Sequence, residues 1–186
     1  MAKVIKPGSL LVADASTNAG FFTHAVVLII DIDETGALGI VLNKVSNIDL
    51  NRVLPLWRDL TNPPQYLFSG GPVSPDGAVC LAVANSTETS PLGWRRISGD
   101  LGLLHLDTPV ELVEGAYQQL RIFAGYSGWG PGQLEDEIEN EMWQIVQSHP
   151  GDIFTAKPEE LWRNVLRRQG GSLGIMASWT ADPQMN

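Results

Sequence analysis

One stretch of the chain concentrates residue types that can form a site, between a predicted strand and a predicted helix. Residues 125–135 read GYSGWGPGQLE, with glycine at every second or third position over the first part. Glycine lets the backbone take φ > 0 or approach another group closely, while Tyr126 and Trp129 each carry a large apolar ring with a polar tip. Such a loop is either a tight structural turn or the floor of a site.

Nucleophilic catalysis is the first chemistry that this stretch could perform. Ser127 stands where a nucleophile elbow would place its serine, but the elbow needs glycine two residues later, where this chain has Trp129. The glycine spacing also differs from dinucleotide-binding loops and from the P-loop. We expect Ser127 to bond the turn backbone and Cys80, within an apolar strand, to be a buried and inert thiol. An enzyme that uses Ser127 or Cys80 is an alternative.

The sequence predicts neither a metal site nor a cofactor. His24, His105 and His149 are scattered, and none of them begins a metal-binding pattern. A phosphate at the start of the helix after the glycine stretch is disfavoured, because Pro131 removes a donor and acidic residues already occupy the first turn. We expect the acidic side chains of residues 135–141 to form a solvated helix face.

Length, charge and cysteine count limit the classes of protein that remain. The 186 residues fit one domain, and 12 Lys and Arg against 21 Asp and Glu give a net charge of -9, which disfavours direct DNA binding. A single cysteine excludes an intrachain disulfide. With no apolar run of about 18 residues and no signal-peptide pattern, we expect a cytoplasmic protein that does not enter the membrane.

Mixed elements must position these residues. Strands are predicted at Leu10–Val12, Ala25–Ile30, Leu38–Leu42, Tyr66–Ser69, Val79–Val83, Arg96–Ile97, Gly102–Leu106 and Gln118–Ala124, with His149–Phe154 a strand or a connection. Helices are predicted after the N-cap Asp49, from a capping box at Thr108–Glu111 to Gly115, over Gln133–Trp143 and over Pro158–Gln169.

These elements predict an α/β (α+β) fold, because hairpins alternate with short helices and successive crossover units are missing. We expect a single compact domain over residues 1–186, with a mixed, mostly antiparallel sheet and flanking short helices. Its core should span about residues 8–169, and residues 172–186 should form a loose tail.

Three segments in order resemble the YqgE/AlgH family: residues 26–43, the turn Gly70–Val73, and residues 125–135. The resemblance covers most of the chain and implies a compact α/β domain with a mixed sheet, bacterial and cytoplasmic. Some members carry the label of transcriptional regulator, and the family has no established activity. This chain departs from the family pattern at three places. It has Ala19-Gly20 where the family usually has an acidic residue and proline, and Ile32 where the family often has histidine. It has Lys44-Val45 where the family often has arginine and proline.

The resemblance implies that these segments converge on one face and form a small concave pocket. The candidate ligand-binding residues are Asn43, Gly70, Gly71, Tyr126, Ser127 and Trp129. We interpret the chain as a non-enzymatic domain that binds a small ligand or regulates, with a small molecule or a protein as partner. The alternative is a transcriptional regulator that acts through a protein partner. Six tryptophans are enough to form an exposed aromatic patch, so the sequence is also compatible with a homodimer.

Overall fold

The computed structural model describes residues 3–17, 20–86 and 88–178, and within them the chain folds around one curled sheet. The strands are β1 (Ser9–Ala13), β2 (Val26–Asp33), β3 (Gly36–Val41), β4 (Val45–Asp49), β5 (Tyr66–Ser69), β6 (Val73–Ala84), β7 (Trp94–Ser98), β8 (Leu101–Leu104), β9 (Tyr117–Trp129) and β10 (Trp143–Gln147). The helices are α1 (Leu50–Val53), α2 (Pro55–Arg58), α3 (Val110–Val113), α4 (Gln133–Glu139), α5 (Leu161–Gln169) and α6 (Gly171–Met176), with 3₁₀ turns at Gly20–Phe22 and Pro158–Glu160.

The sheet runs in the order β10-β1-β2-β3-β9-β6-β8-β7, and β4 joins it through β5, which lies beside β9. The β5–β9 pair is parallel, whereas the other recorded strand pairs are antiparallel. This architecture confirms the predicted fold class: a single domain with a mixed, mostly antiparallel sheet and a few short helices.

The centre of the sheet is covered on both faces, which explains the unbroken apolar run of β2. Val26 and Leu28 pack with α5 in one apolar cluster, and Val27 and Ile29 pack against Trp129 in another. A strand that is buried on both faces needs apolar residues at successive positions rather than alternate ones. The two clusters therefore pack against both faces of β2 and β3, and the cavity described below lies at one end of these strands.

The glycine stretch is a strand rather than a loop in its first part, which corrects the prediction. β9 continues to Trp129, with Ser127 opposite Gly39 and Trp129 opposite Ala37 of β3. Gly125 has φ +73, and there the register of β9 against β6 shifts. A glycine in this conformation lets the strand bend and change partner from β5 to β3 without breaking the sheet.

The end of the predicted helix Gln133–Trp143 was also wrong. α4 ends at Glu139, Glu141 takes φ +58, and Trp143 opens β10 opposite Ala13. Burying the Trp143 ring and pairing its backbone with β1 outweighed the helical spacing of the sequence. The strand β4 was missed, because its polar residues show no strand pattern.

Three other predictions concern the capping box, residues 149–154 and the C-terminal tail. The Thr108–Glu111 capping box does not form, because Pro109 precedes the single turn of α3 and supplies no side-chain cap. Residues 149–154 form a connection with turns at 150–154, which is one of the two alternatives that the sequence predicted. The predicted tail begins as α6, and Ala177 is only 3% exposed, so the packed domain extends beyond Gln169. Residues 179–186 lie outside the described part of the chain.

Glu137 fastens α4 to the sheet, which corrects its assignment to a solvated acidic face. One carboxylate oxygen accepts hydrogen bonds from Trp129 Nε1 at 2.9 Å and from Trp143 Nε1 at 2.8 Å. The other oxygen accepts from Gln133 Nε2 at 3.0 Å. The two indole rings meet edge to face with their centroids 6.1 Å apart. Glu137 therefore holds two strands and one helix together at a half-buried position.

We expect Glu137→Ala to lower the free energy of unfolding by about 2–3 kcal/mol, because two buried indole N–H groups lose their acceptor. Glu139→Ala, at an exposed position of the same helix, should change it by less than about 0.5 kcal/mol. Urea unfolding followed by tryptophan fluorescence measures both. Equal stability of the two variants would contradict this role of Glu137.

Candidate functional site

A cavity of about 330 Å³ opens where β2 begins, β3 ends and α5 begins. It is lined by His24, Asn43, Lys44, Glu159, Glu160, Trp162 and Arg163. Its size lies at the lower end of the range for small-molecule sites, roughly 300–1,000 Å³. Three segments that are distant in the sequence therefore bring cations, carboxylates and aromatic rings to one concave surface.

Asn43 fixes one wall of this cavity through its side-chain amide. Its Oδ1 accepts from the Val26 N–H at 2.9 Å, and its Nδ2 donates to the His24 carbonyl at 2.9 Å. These bonds hold the short turn into β2, where His24 takes φ +54. An L-residue reaches this left-handed conformation only when its surroundings enforce it. Asn43 therefore acts as a positioning residue for His24.

The His24 ring stacks on a buried tryptophan. The ring centroids of His24 and Trp162 are 4.2 Å apart, with an angle of 24° between the planes. Trp162 is 2% exposed, and its Nε1 donates to the Ala13 carbonyl at 2.8 Å, which locks the indole. Burial lowers the pKa of His24 below 6.5, and the nearby cations Lys44 and Arg163 lower it further. The imidazole is therefore neutral at pH 7.

Lys44 brings a half-buried ammonium group to the same cavity. Its Nζ donates to the Thr23 carbonyl at 2.7 Å, and burial lowers the pKa of this lysine. No carboxylate within the described ranges lies in ion-pair distance of Nζ. An ammonium group has three N–H donors, so the single carbonyl leaves donor capacity and positive charge at the cavity.

Gly70 and Gly71 belong to a different place, a seam of tightly packed backbone beside β9. The Gly70 carbonyl accepts from the Val41 N–H at 2.8 Å and from Ser127 Oγ at 3.3 Å. A Cβ atom on Gly71 would overlap the Tyr126 carbonyl group. The predicted convergence of the turn Gly70–Val73 with Tyr126 and Ser127 is therefore present, as backbone packing.

Trp129 and Asn43 line separate cavities. Trp129 borders a shallow cavity of about 190 Å³ together with the hairpin residues 31–38. It pairs with Ala37 near the start of β3, whereas Asn43 follows the end of that strand, so at about 3.3 Å per residue the two positions are roughly 20 Å apart. The six predicted residues do not share one cleft. A ligand-binding role for each of them stays a prediction.

Neither Ser127 nor Cys80 is arranged as a nucleophile. Ser127 is fully buried, and its hydroxyl donates to a backbone carbonyl rather than to a base. Burial raises the pKa of Cys80 to about 12, so the thiol stays protonated, and its Sγ donates weakly to the Leu81 carbonyl at 3.7 Å. The structure thus supports the structural interpretation of both residues.

Sequence reasoning missed most of this cavity. Among its lining residues only Asn43 was predicted, while Lys44 was noted as a departure from the family pattern. His24 was read as a scattered histidine, and Trp162 and Arg163 lie far along the chain on α5. A larger open cavity of about 690 Å³ lies beside β10, but its lysines, Lys3 and Lys6, are exposed and thus screened by water.

Residues 3–17, 20–86 and 88–178 contain neither a group of metal-ligating side chains nor a helix that could span a membrane. In these ranges, no three His, Cys, Asp or Glu side chains are grouped to hold a metal ion. The helices of the same ranges are all too short or too polar to cross a membrane.

The fold and the cavity define a single-domain α/β protein built on a curled, mostly antiparallel sheet. The pattern of the family described as AlgH-like matches residues 10–174, and the chain belongs to this family. It is 50% identical over 182 residues to a UPF0301 protein of Streptomyces coelicolor, a match that covers 96% of this chain and 94% of the relative. A UPF0301 protein of Mycobacterium leprae is 37% identical over 187 residues, covering 100% and 93%.

Two solved structures share the fold. A crystal structure of a Corynebacterium diphtheriae protein superposes with a TM-score of 0.88 at 29% identity, covering 95% of this chain and 94% of the other. The solution structure of AlgH from Pseudomonas aeruginosa gives a TM-score of 0.70 at 24% identity, covering 97% and 99%, and shows likeness of fold alone. The predicted membership of the YqgE/AlgH family is confirmed.

Proposed function

We propose that this protein is a non-enzymatic cytoplasmic domain that binds a small ligand in the cavity beside Asn43, through an anionic group of the ligand. The observation that carries the proposal is the Lys44 ammonium group, which is half-buried and meets a carbonyl but no carboxylate among the described residues. A charge that is withdrawn from water without a counter-ion is unfavourable. An anionic ligand would remove this penalty.

The surroundings of Lys44 suit recognition better than catalysis. Asn43 uses both ends of its amide to hold the turn of His24, and the neutral His24 ring rests on a locked indole. A preorganised wall of this kind costs little entropy when a ligand binds. Hydrogen bonds to charged groups contribute about 1.5–3 kcal/mol each, enough to select ligands that carry an anion.

Native mass spectrometry of the purified protein tests the proposal without assuming a ligand. We expect wild-type protein to retain a small molecule and Lys44→Met to lose it, because the methionine keeps the apolar stem and removes the charge. Lys6→Met, which alters an exposed lysine outside this cavity, is the matched control. If Lys44→Met retains the same molecule at the same occupancy, the proposed site is wrong.

The pKa of His24 provides an independent measure. We expect imidazole NMR titration to place it below 6.5 in the free protein, and higher in Lys44→Met, because one of the cations that lower it is gone. An anion bound beside Lys44 should also raise it, since negative charge favours the imidazolium. An unchanged His24 titration in Lys44→Met would show that the two side chains are not coupled.

His24 also makes stability depend on pH in a defined direction. Because its pKa is lower in the folded chain than the unfolded value of 6.5, the unfolded chain binds more protons between these values. The free energy of unfolding should therefore be highest above about pH 6.5 and fall as the pH decreases toward the folded pKa. His24→Gln should weaken this dependence of stability on pH, because the variant lacks one titrating imidazole. Thermal unfolding measured between pH 5 and 8 tests this.

A regulator that acts through a protein partner is the second candidate. It is favoured by exposed apolar side chains on the part of the fold formed by β4, α1 and α2, where Leu56 is 73% exposed and Val45 and Val53 are also exposed. A pull-down that recovers a polymerase component or a repressor with wild-type protein, and loses it with Leu56→Asp, would support this function. A mobility shift with duplex DNA should show no direct binding, given the net charge of -9.

A further inference from the structure

The cavity beside Asn43 carries a balanced set of charges. Lys44 and Arg163 line it with two cations, and Glu159 and Glu160 line it with two carboxylates, while His24 is neutral at pH 7. A site for a simple anion would be surrounded by an excess of positive charge. Here Lys44 shares the cavity with two acidic side chains.

The two signs of charge come from different segments of the chain. Lys44 belongs to the connection between β3 and β4, and its Nζ is fixed by the Thr23 carbonyl. Both glutamates belong to the 3₁₀ turn Pro158–Glu160 that leads into α5. The stacked rings of His24 and Trp162 belong to the same lining. This arrangement matches a ligand whose charges are separated by a flat body.

We propose that the ligand is a zwitterion, with a carboxylate bound by Lys44, an ammonium group facing Glu159 and Glu160, and a planar body that lies against His24. This inference rests on the proposed function and names the class of ligand for the same site. The planar body would extend the existing stack of His24 on Trp162.

The charges outside the cavity favour the same class of ligand. The chain has a net charge of -9, which repels a free anion at long range but not a molecule without net charge. Glu160 already meets Lys157 Nζ at 3.6 Å, but the two side chains are 50% and 68% exposed, so this pair is weak and can open for a ligand. Glu160 can therefore turn toward an ammonium group at little cost.

Three compounds of nearly equal shape test the inference: 4-(aminomethyl)benzoate, 4-methylbenzoate and 4-methylbenzylamine. Isothermal titration calorimetry and backbone NMR shifts give the affinity and the place of binding. We expect the zwitterion to bind at least about tenfold more tightly than either singly charged compound, with shifts centred on His24 and Lys44. Lys44→Met should lower the affinity for the zwitterion and for 4-methylbenzoate by a similar factor.

The double variant Glu159→Gln/Glu160→Gln should bind the zwitterion no more tightly than 4-methylbenzoate. Its affinity for 4-methylbenzoate should not fall below that of the wild-type protein. Glu111→Gln/Glu114→Gln changes the net charge equally at exposed positions of α3 and its C-cap, and should keep the preference. Circular dichroism confirms that each variant is folded. A preference that survives in the Glu159/Glu160 variant would overturn the assignment of the two carboxylates.

Failure of this inference can be separated from failure of the proposed function. Suppose that 4-methylbenzoate binds as tightly as the zwitterion and that Lys44→Met weakens the binding of both compounds. The proposal of a zwitterionic ligand is then wrong, whereas the proposal of an anion site is supported. If no compound binds beside His24, the inference is overturned, whereas the proposed function is judged by the molecule that wild-type protein retains and Lys44→Met loses in native mass spectrometry.

Discussion

Arg121→Ala should lower the free energy of unfolding by about 4 kcal/mol, a large effect for one substitution. The Arg121 side chain is 1% exposed and lies on β9 in the middle of the sheet. Its guanidinium donates to the carbonyls of Ile153 and Thr155 at 3.2 and 2.9 Å, and to that of Pro63 at 2.6 Å. It therefore joins β9 to two connecting segments, one at Pro63 and one at residues 153–155.

The expected loss comes from several groups at once. Three carbonyls lose their donor, each at a cost of about 1–3 kcal/mol when buried, and the guanidinium also lies over the Phe68 ring with its carbon 4.4 Å from the centroid. Burial of the cation opposes this, since it lowers the pKa of Arg121 to about 10, and its removal recovers part of the loss. The net value therefore falls below the sum of the separate contributions.

Two further variants divide the effect. Arg121→Met keeps most of the apolar stem and should retain about 1–2 kcal/mol of the stability that alanine loses. Arg121→Lys keeps the charge, but a lysine ammonium group lacks the planar fork with which arginine reaches three carbonyls. This variant should therefore be clearly less stable than wild type. Arg52→Ala, at an exposed position, is the surface control. Urea unfolding measures all four, and a loss below about 1 kcal/mol for Arg121→Ala would contradict the argument.

Gly71→Ala should prevent the chain from reaching its stable fold, with a loss of more than about 4 kcal/mol. A Cβ atom at Gly71 would overlap the backbone carbonyl of Tyr126, and it would stand 2.5 Å from the Ser127 nitrogen. Backbone atoms held in the centre of a sheet cannot move aside as the end of a flexible side chain can. Gly125 meets the same seam from the other side, where its Cβ would overlap the Gly71 carbonyl.

Gly128→Ala is the matched control, because it lies on the same stretch of β9 and its Cβ would meet nothing nearer than 3.9 Å. We expect it to change the free energy of unfolding by less than about 0.5 kcal/mol. Soluble yield, circular dichroism and thermal unfolding compare the two variants. If Gly71→Ala unfolds at the same temperature as Gly128→Ala, the close approach of the two backbones is not required.

The glycine stretch shows how far sequence alone could lead. Its composition indicated close backbone contacts, and Gly125 does bend β9 where the strand changes partner. The prediction of a loop was wrong because hydrogen bonds to β3 keep residues 127–129 extended. Local composition records that a backbone approaches something closely, but it does not record which distant strand it approaches.

The cavity beside Asn43 lay beyond sequence reasoning for a related reason. Asn43 was predicted from the family resemblance, whereas His24, Trp162 and Arg163 become its neighbours only when α5 packs across the ends of β2 and β3. Trp129 was grouped with Asn43 in the prediction, yet the length of β3 separates them. Glu137 likewise looked solvated until two indoles from different strands met its carboxylate.

The sequence by itself determined the family, the fold class and the apolar strands of the core, because unbroken aliphatic runs and glycine-rich turns are local properties of the chain. Only the tertiary structure decided which polar groups share a cavity and which form the hydrogen bonds that stabilise the fold. That decision depends on residues such as Lys44 and Glu159, which are far apart in sequence but line one cavity, and whose burial and charge balance exist only once the sheet has curled and α5 has packed.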